Sequence, residues 1–337
     1  MKIGFLTDVD GYRAPIHPES IEKYSLDVYL EKNIFDYLNY ADSSLENVKK
    51  ISNLSDLDIV ACVENIGDKT IKELKEGAVL IGIFDFDKIE EIKSLRPDIK
   101  VFSFFKLPRI SRAQNLDALS SQANLLGYAS VLRAAKETSD VVPMMTTAAG
   151  NIQPSKVLIL GVGVAGLQAI ATAKRLGARV WAFDIRKDAK DQVESLGAKF
   201  VEASSEAQDS VYAQEVSEEE NQKIQEALKE QVVDSDIVLT FAQIPGKKAP
   251  VLIEKSTVEN MRKNSVIIDL AAGTGGNCEG TEVNKIVDIN GVKIVGETDI
   301  LNTVKHAATK LYSENVRNLI ELYLENSDDE IFVEMGS

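Results

Sequence analysis

The stretch KVLILGVGVAGLQAIATAKRLGARVWAFD constrains the fold of this chain more than any other segment of the sequence. An apolar run of strand type leads into Gly161, Gly163 and Gly166, and an Ala-rich helical pattern follows. In such a G-x-G-x-x-G turn the first glycine permits the tight turn, the second lets a pyrophosphate approach, and the third lets helix pack on strand. Val164 and Ala165 lie at the predicted helix start, where N–H groups and the helix dipole favour an anion. The stretch therefore predicts a dinucleotide-binding βαβ unit.

A carboxylate after the next strand indicates which dinucleotide is bound. Asp184 ends the run RVWAFD, where it is placed to accept hydrogen bonds from both ribose hydroxyls of the adenosine half and to repel a 2′-phosphate. NAD(H) is therefore favoured over NADP(H), although Arg186 is of a type that accommodates the phosphate. Ile185, Ala242 and Gln243 complete the predicted cofactor-binding set.

Short apolar runs alternate with helical patterns along the chain, as is typical of parallel sheets with crossover helices. The strand-like runs are KIGFL, LDVYLE, DIVACVE, AVLIGIF and KVFSFF, then KVLILG, RVWAFD, DIVLTFA, SVIIDLA and VKIVGE. A long helical pattern over 111–138 precedes the predicted loop TTAAGNIQPS, and a helix over 304–324 is expected to pack back on the first unit. We predict an α/β fold of two doubly wound Rossmann-like domains separated by a cleft, one of 1–120 with 305–337 and one of 121–304.

Composition and charge disfavour several classes of function. The formal net charge of −15 disfavours a nucleic-acid-binding surface and direct adsorption on an anionic membrane. No signal peptide or apolar run of roughly 20 residues is present, so we expect a cytoplasmic protein. Cys62 and Cys278 are far apart in sequence and outside any CxxC pair, which indicates neither a disulfide framework nor a metal site.

Histidine is the commonest general acid–base group, and this sequence contains two, His17 and His306. His17 is either a residue of a surface loop, which we expect, or the remnant of a substrate site. His306 falls at the beginning of the predicted C-terminal helix, where we expect it to be capping or solvated.

The stretch RISRAQNLDALSSQ allows two interpretations. Gln114, Asp117 and Ser120 are spaced by threes, so on a helix they would share one face, and Arg109 precedes them. They are either the polar face of a surface helix or one wall of a ligand site. Spacing alone leaves both interpretations open.

Several stretches together resemble a known family. They are PRISRAQNLDALSSQANLLGY, TAAG before a proline, LGVGVAGLQAIATAKRLGA, QVESLGAKF, IPGKKAPVLI, SVIIDLAAGTGGNCE, VKIVGETD and LYSENVRNLI. In combination they resemble the NAD(H)-binding component of proton-translocating transhydrogenase, which is itself similar to alanine dehydrogenase. The resemblance implies a soluble homodimer that docks on an NADP(H)-binding subunit and a membrane-spanning subunit. It also implies Re/Si-specific hydride transfer between NAD(H) and NADP(H), coupled to proton movement, and peripheral attachment to the inner face of the membrane through those partners alone.

The resemblance implies functional residues as well. Arg109, Gln114, Asp117 and Ser120 match family residues that line the nicotinamide end and are the implied catalytic residues. Tyr212 in VYAQE is the nearest match to a tyrosine on a flap that closes over the nucleotide. The family pattern there usually has Gly before the Tyr and Lys after the Ala, from which this sequence departs.

Departures from the alanine dehydrogenases discriminate between two reactions. Cys62 stands in the place of their lysine, and their substrate histidine has no counterpart in AVLIGIFDF. Oxidation of an amino acid leaves a proton to be removed, whereas hydride transfer between two nicotinamides needs positioning and electrostatics alone. The sequence therefore favours transhydrogenation over an alanine or amino-acid dehydrogenase. Gly273 and Thr274 replace larger polar residues, which leaves open a non-catalytic NAD(H)-binding module.

Overall fold

The computed structural model describes the chain in five stretches, residues 1–8, 13–38, 48–202, 218–244 and 247–336. Tyr212 lies outside these described residues. The chain divides into two compact units, unit 1 being Met1–Leu125 with Leu301–Ser337 and unit 2 being Leu126–Ile300. The cleft expected between the domains stays a prediction.

The strands of the described residues belong to two largely parallel sheets and one hairpin. They are β1 Lys2–Phe5, β2 Asp27–Leu30, β3 Lys49–Lys50, β4 Ile59–Ala61, β5 Val79–Gly82, β6 Lys100–Ser103, β7 Met145–Thr147, β8 Gly150–Ile152, β9 Lys156–Leu160, β10 Arg179–Phe183, β11 Lys199–Phe200, β12 Ile237–Thr240, β13 Val266–Asp269, β14 Ile286–Ile289 and β15 Val292–Val295.

The α-helices of the same residues are α1 Asp68–Lys72, α2 Phe86–Leu95, α3 Ala118–Glu137, α4 Val164–Arg175, α5 Ala189–Ser195, α6 Glu218–Val233, α7 Lys255–Glu259, α8 Lys305–Glu325 and α9 Glu330–Gly336. Short 3-10 helices occupy Pro18–Lys23, Asp36–Leu38, Leu54–Asp56, Phe104–Lys106, Ser111–Leu116, Ala272–Thr274 and Ile300–Val304. None of these described helices is long and apolar enough to cross a membrane.

Unit 1 is built on a sheet with the strand order β3-β2-β1-β4-β5-β6, and every pairing in it is parallel. The order reverses at β1, as in doubly wound folds. Helix α8 packs against this sheet, because Tyr312, Val316 and Leu319 are fully buried in one cluster with Ile3 and Phe5. The C-terminal helix therefore completes the core of the N-terminal sheet.

Unit 2 repeats this order in the sheet β11-β10-β9-β12-β13-β15-β14, where β14 alone runs antiparallel. Strands β9, β12 and β13 are buried throughout or almost so, which explains their near-continuous apolar sequences. The ten predicted strands are all present, and the predicted α/β, doubly wound fold class is confirmed.

Two local predictions were wrong. The stretch TTAAGNIQPS is not a plain loop but contains most of the β7–β8 hairpin. The helical pattern over 111–138 is two elements, the 3-10 helix Ser111–Leu116 and helix α3. The second correction matters for the candidate site, because Gln114, Asp117 and Ser120 do not lie on one α-helix.

Candidate functional site

The glycine-rich turn of unit 2 joins β9 to α4 and leaves the helix start open. Gly163 is the N-cap of α4 in an extended conformation, and no side chain caps the helix there. A Cβ on Gly163 would meet no atom within 4 Å. The first N–H groups of a helix lack intrahelical partners. Open space in front of them is therefore the arrangement that a bound pyrophosphate needs.

The two other glycines of the turn are required by close packing. A Cβ on Gly166 would overlap the carbonyl oxygen of Gly161, so the helix approaches the strand end only because residue 166 has no side chain. Gly161 has a φ of +93°, and a Cβ there would lie 3.1 Å from the backbone nitrogen of Ala242. Ala242 follows β12, the neighbour of β9 across the point where strand order reverses. Open α/β sheets bind ligands at this point.

Asp184 lies directly after β10 with its carboxylate against the glycine turn. The backbone N–H of Val162 donates to its Oδ2 at 2.7 Å, and the backbone N–H of Arg186 donates to its Oδ1 at 2.9 Å. Burial raises the pKa of this carboxyl, but the hydrogen bonds from Arg186 and Val162 outweigh it and hold the pKa below its ordinary value. The group is therefore ionised at neutral pH.

Three further predicted cofactor residues lie around the same turn. Val164 is 42% exposed at the helix start, and Ile185 is 88% exposed beside Asp184. Gln243 is exposed, and its Nε2 donates to the carbonyl oxygen of Leu270 at 3.2 Å. Exposed branched apolar side chains cost free energy in water, so Val164 and Ile185 are suited to cover the faces of a bound nucleotide.

Gly127 is a supporting residue that sequence reasoning missed. It lies within α3, and a Cβ there would overlap the carbonyl oxygen of Ala165 and lie 3.0 Å from Cβ of Gln168. Helix α3 therefore packs directly on the first turn of α4, the turn that bears the anion-binding N–H groups. A glycine inside a helix lowers stability by about 1 kcal/mol relative to alanine. The presence of a glycine within the helical pattern was therefore the signal in the sequence that could have identified this position.

The segment from Arg109 to Ser120 in unit 1 forms a compact polar cluster. Asp117 pairs with Arg109 and accepts hydrogen bonds from Ser120, through Oγ at 2.6 Å and the backbone N–H at 3.0 Å. The hydrogen bond from the Ser120 N–H to the Asp117 carboxylate is of the kind that an N-cap side chain makes, and Asp117 directly precedes α3. Gln114 is exposed in the preceding 3-10 helix. The structure thus brings together the side chains of Arg109, Asp117 and Ser120, whereas Gln114 contributes its backbone carbonyl, which accepts from the Asp117 N–H at 3.3 Å.

The carboxyl ends of β1 and β4 hold a second group of buried polar residues in unit 1. Asp8 accepts hydrogen bonds from the backbone N–H groups of Val63, Glu64 and Asn65. Burial raises its pKa to about 6. Arg13 is 5% exposed, pairs with Glu64 and donates to the side-chain oxygen of Gln122.

Cys62 and His17 also lie in unit 1, and neither is placed as an exposed acid–base group. Burial raises the pKa of the Cys62 thiol far above its usual range, and Tyr312 donates to the Cys62 carbonyl at 2.7 Å. The expectation of a surface His17 was wrong, because it is 4% exposed and its Nδ1 accepts from the backbone N–H of Glu19. Burial lowers its pKa, so its neutral form is favoured.

The loop around Gly273 and Thr274 is held by one buried carboxylate. Asp269 accepts hydrogen bonds from the side chains of Thr240 and Thr281 and from three backbone N–H groups of the loop. These contacts assign Asp269 a structural role. Gly273 itself is not required by packing, because the nearest atom to a Cβ there is 3.5 Å away. Among the described residues, no group of acidic, histidine and cysteine side chains is placed to hold a metal ion.

Comparison with known proteins assigns the chain to a family. The family model described as "Alanine dehydrogenase/PNT, C-terminal domain" matches residues 130–335. An NAD(P) transhydrogenase subunit alpha protein of Rickettsia prowazekii is 42% identical over 327 residues, with 91% of this chain and 85% of that protein covered. The chain belongs to the family of NAD(P) transhydrogenase alpha subunits. The protein of the same name from Rhodospirillum rubrum is 47% identical over 262 residues, covering 75% of this chain and 68% of its own length.

Solved structures agree with this assignment. A transhydrogenase from Sinorhizobium meliloti matches with a TM-score of 0.89 at 34% identity and covers 99% of this chain and 97% of its own. The family resemblance inferred from the sequence motifs is therefore confirmed. Membership implies binding of a nicotinamide nucleotide, for which unit 2 has the matching turn.

Proposed function

We propose that this chain is the NAD(H)-binding component of a proton-translocating transhydrogenase, passing hydride between its NAD(H) and NADP(H) on a partner subunit. The observation that carries the proposal is the open N-terminus of α4 beside the ionised Asp184. This pairing suits a dinucleotide whose adenosine ribose has both hydroxyls free. The transhydrogenase relatives support the reaction assigned to it.

In this proposal unit 2 binds and orients the cofactor. The N–H groups at the start of α4, around Val164 and Ala165, hold the pyrophosphate, and Gly163 leaves room for it. The Asp184 carboxylate accepts hydrogen bonds from the ribose hydroxyls, and Ile185 covers the adenosine half of the dinucleotide. Ala242 and Gln243 complete the binding site, and Arg186 borders it with its guanidinium on the Asp184 carboxylate. When bound, the nicotinamide ring supplies the hydride.

The cluster of Arg109, Asp117 and Ser120, with Gln114, is proposed to position the nicotinamide end. Its network fits an orienting role, because Asp117 is fixed from two sides by Arg109 and Ser120. Direct transfer between nicotinamides needs alignment of two rings within a few ångströms rather than a proton acceptor. In Asp117→Asn we therefore expect hydride transfer to slow far more than NADH binding weakens. Equal loss of both would assign the cluster a merely structural role.

Amino-acid oxidation is the second candidate, since the family model names alanine dehydrogenase. Its chemistry needs a base at the substrate carbon. The position of the dehydrogenase lysine holds Cys62, a fully buried thiol whose raised pKa makes it unsuitable. Turnover of alanine or pyruvate by the isolated chain would revive this candidate.

We further propose that the chain forms a homodimer in which the β7–β8 hairpin takes part. All six residues of its strands are exposed, among them Met145 at 43% and Ile152 at 44%. An isolated two-stranded hairpin is at best marginally stable in water, so a second copy is the proposed cover. Sedimentation should give a dimer for the native chain and a monomer for Ile152→Glu. A native monomer would refute the proposed dimer.

The proposal places the membrane contact on the partner subunits, so the chain acts as a peripheral component on the cytoplasmic side.

The test of the proposed function is reconstitution with an NADP(H)-binding partner. Hydride exchange between NADH and an NADP⁺ analogue should depend on both proteins. Measurable NADH binding and docking without exchange would overturn the proposed reaction, whereas failure to bind NADH would overturn the cofactor assignment.

A further inference from the structure

The carboxylate proposed to bind the adenosine ribose is already saturated by donors of its own chain. Its Oδ1 accepts from the backbone N–H and Nε of Arg186, at 2.9 and 3.0 Å. Its Oδ2 accepts from the backbone N–H of Val162 at 2.7 Å and from Nη2 of Arg186 at 3.3 Å. A carboxylate has about four lone-pair sites, so these donors leave no room for a ribose hydroxyl.

The donors are of two kinds. Two are main-chain N–H groups fixed by the glycine turn and by the bend after β10, and these remain in place whether or not a ligand binds. The other two belong to the Arg186 guanidinium, whose Nη2 also donates to the Val162 carbonyl at 3.0 Å. This side chain is 55% exposed, whereas that of Asp184 is 8% exposed. The guanidinium is therefore the component of the network that can move into solvent at low cost.

We propose that the Arg186 guanidinium is a latch on the Asp184 carboxylate, that a bound nucleotide displaces it, and that it thereby reduces the preference of the site for NAD(H) over NADP(H). The latch rests on the proposed binding of NAD(H). The two hydroxyls of an unmodified ribose replace the two guanidinium donors one for one. A ribose with a 2′-phosphate has one hydroxyl fewer to offer, but the released guanidinium is then free to pair with that phosphate. Arg186 thus weakens NAD(H) binding and strengthens NADP(H) binding. It therefore reduces the preference for NAD(H) over NADP(H) that Asp184 provides.

The expected change in nucleotide affinity follows from the solvent exposure of the Arg186 guanidinium. Ion pairs between exposed side chains contribute little, and breaking this one corresponds to a change of roughly two- to five-fold in a dissociation constant. Arg186→Gln removes the charge and the two-pronged contact. Arg186→Lys keeps the charge but cannot form the planar fork. Arg262→Gln is a matched control, because Arg262 is a similarly exposed arginine of unit 2 that pairs with Asp236.

The experiment titrates native and variant chains with NADH and NADPH and follows nicotinamide fluorescence, with circular dichroism as the check of folding. For Arg186→Gln we expect a Kd for NADH lower by roughly two- to five-fold and a Kd for NADPH higher by at least that factor. Arg186→Lys should lie between it and the native chain, and Arg262→Gln should match the native chain. If both Arg186 variants are folded and bind NADH no more tightly than the native chain, the proposed latch is refuted. Absence of NADH binding by the native chain would instead overturn the proposed function.

Discussion

Replacing Gly127 by alanine places a methyl group between α3 and the first turn of α4. The added carbon would overlap the carbonyl oxygen of Ala165 and lie 2.9 Å from its carbonyl carbon. Carbon atoms in contact are ordinarily about 3.5–4.0 Å apart, so the two helices must separate by roughly 1 Å. No rotamer change relieves this overlap, because the obstacle is backbone.

The free energy of unfolding should fall by about 2 kcal/mol. Overpacking costs up to about 3 kcal/mol, and the higher helix propensity of alanine offsets about 1 kcal/mol. For a unit of this size the loss corresponds to a Tm lower by roughly 4–8 °C. The displaced turn carries the N–H groups proposed to bind the pyrophosphate, so NADH affinity should fall with stability.

Thermal unfolding and NADH titration of Gly127→Ala measure both effects together. Gly273→Ala is the control, because a Cβ at that position meets its nearest atom at 3.5 Å, an ordinary contact. Its Tm should stay within about 2 °C of the native value. A Gly127→Ala chain that has the native Tm and the native affinity for NADH would refute close packing as the reason for this glycine.

The other predictions concern single polar groups. Asp184→Asn should weaken NADH binding by roughly 10- to 100-fold, as measured by fluorescence titration, because it removes a charged acceptor. The folded pKa of Asp8, about 6, lies above its ordinary value of 3.8, so this group makes stability fall as pH rises between those values. Asp8→Asn should therefore flatten the dependence of Tm on pH in that window, and an unchanged slope would contradict the assignment. Tyr312→Phe removes the donor to the Cys62 carbonyl and should lower the free energy of unfolding by about 1–2 kcal/mol in urea titrations, with no loss expected from the exposed Tyr128→Phe.

The sequence by itself determined the fold class and the nucleotide-binding turn. Strands of parallel sheets are buried on both faces, so β9, β12 and β13 are recognisable as continuous apolar runs. The turn is recognisable because two of its three glycines meet a local steric demand, a positive φ at Gly161 and close packing at Gly166. Local geometry of this kind depends on neighbours in sequence, so the sequence pattern records it.

Tertiary structure decided the features that depend on residues distant in sequence. The role of Gly127 follows from the packing of α3 on Ala165, and no spacing rule reveals it. The three-residue spacing of Gln114, Asp117 and Ser120 suggested one helix face, but the chain changes from a 3-10 helix to an α-helix at Asp117. His17 is buried because other parts of the fold cover its segment, in which Ala14 and Ile16 are fully buried as well. Arg186 is two residues from Asp184 in sequence, yet only the folded turn shows its guanidinium bonded to both that carboxylate and Val162. Such contacts depend on which segments the fold brings together, and single-sequence patterns do not encode that choice.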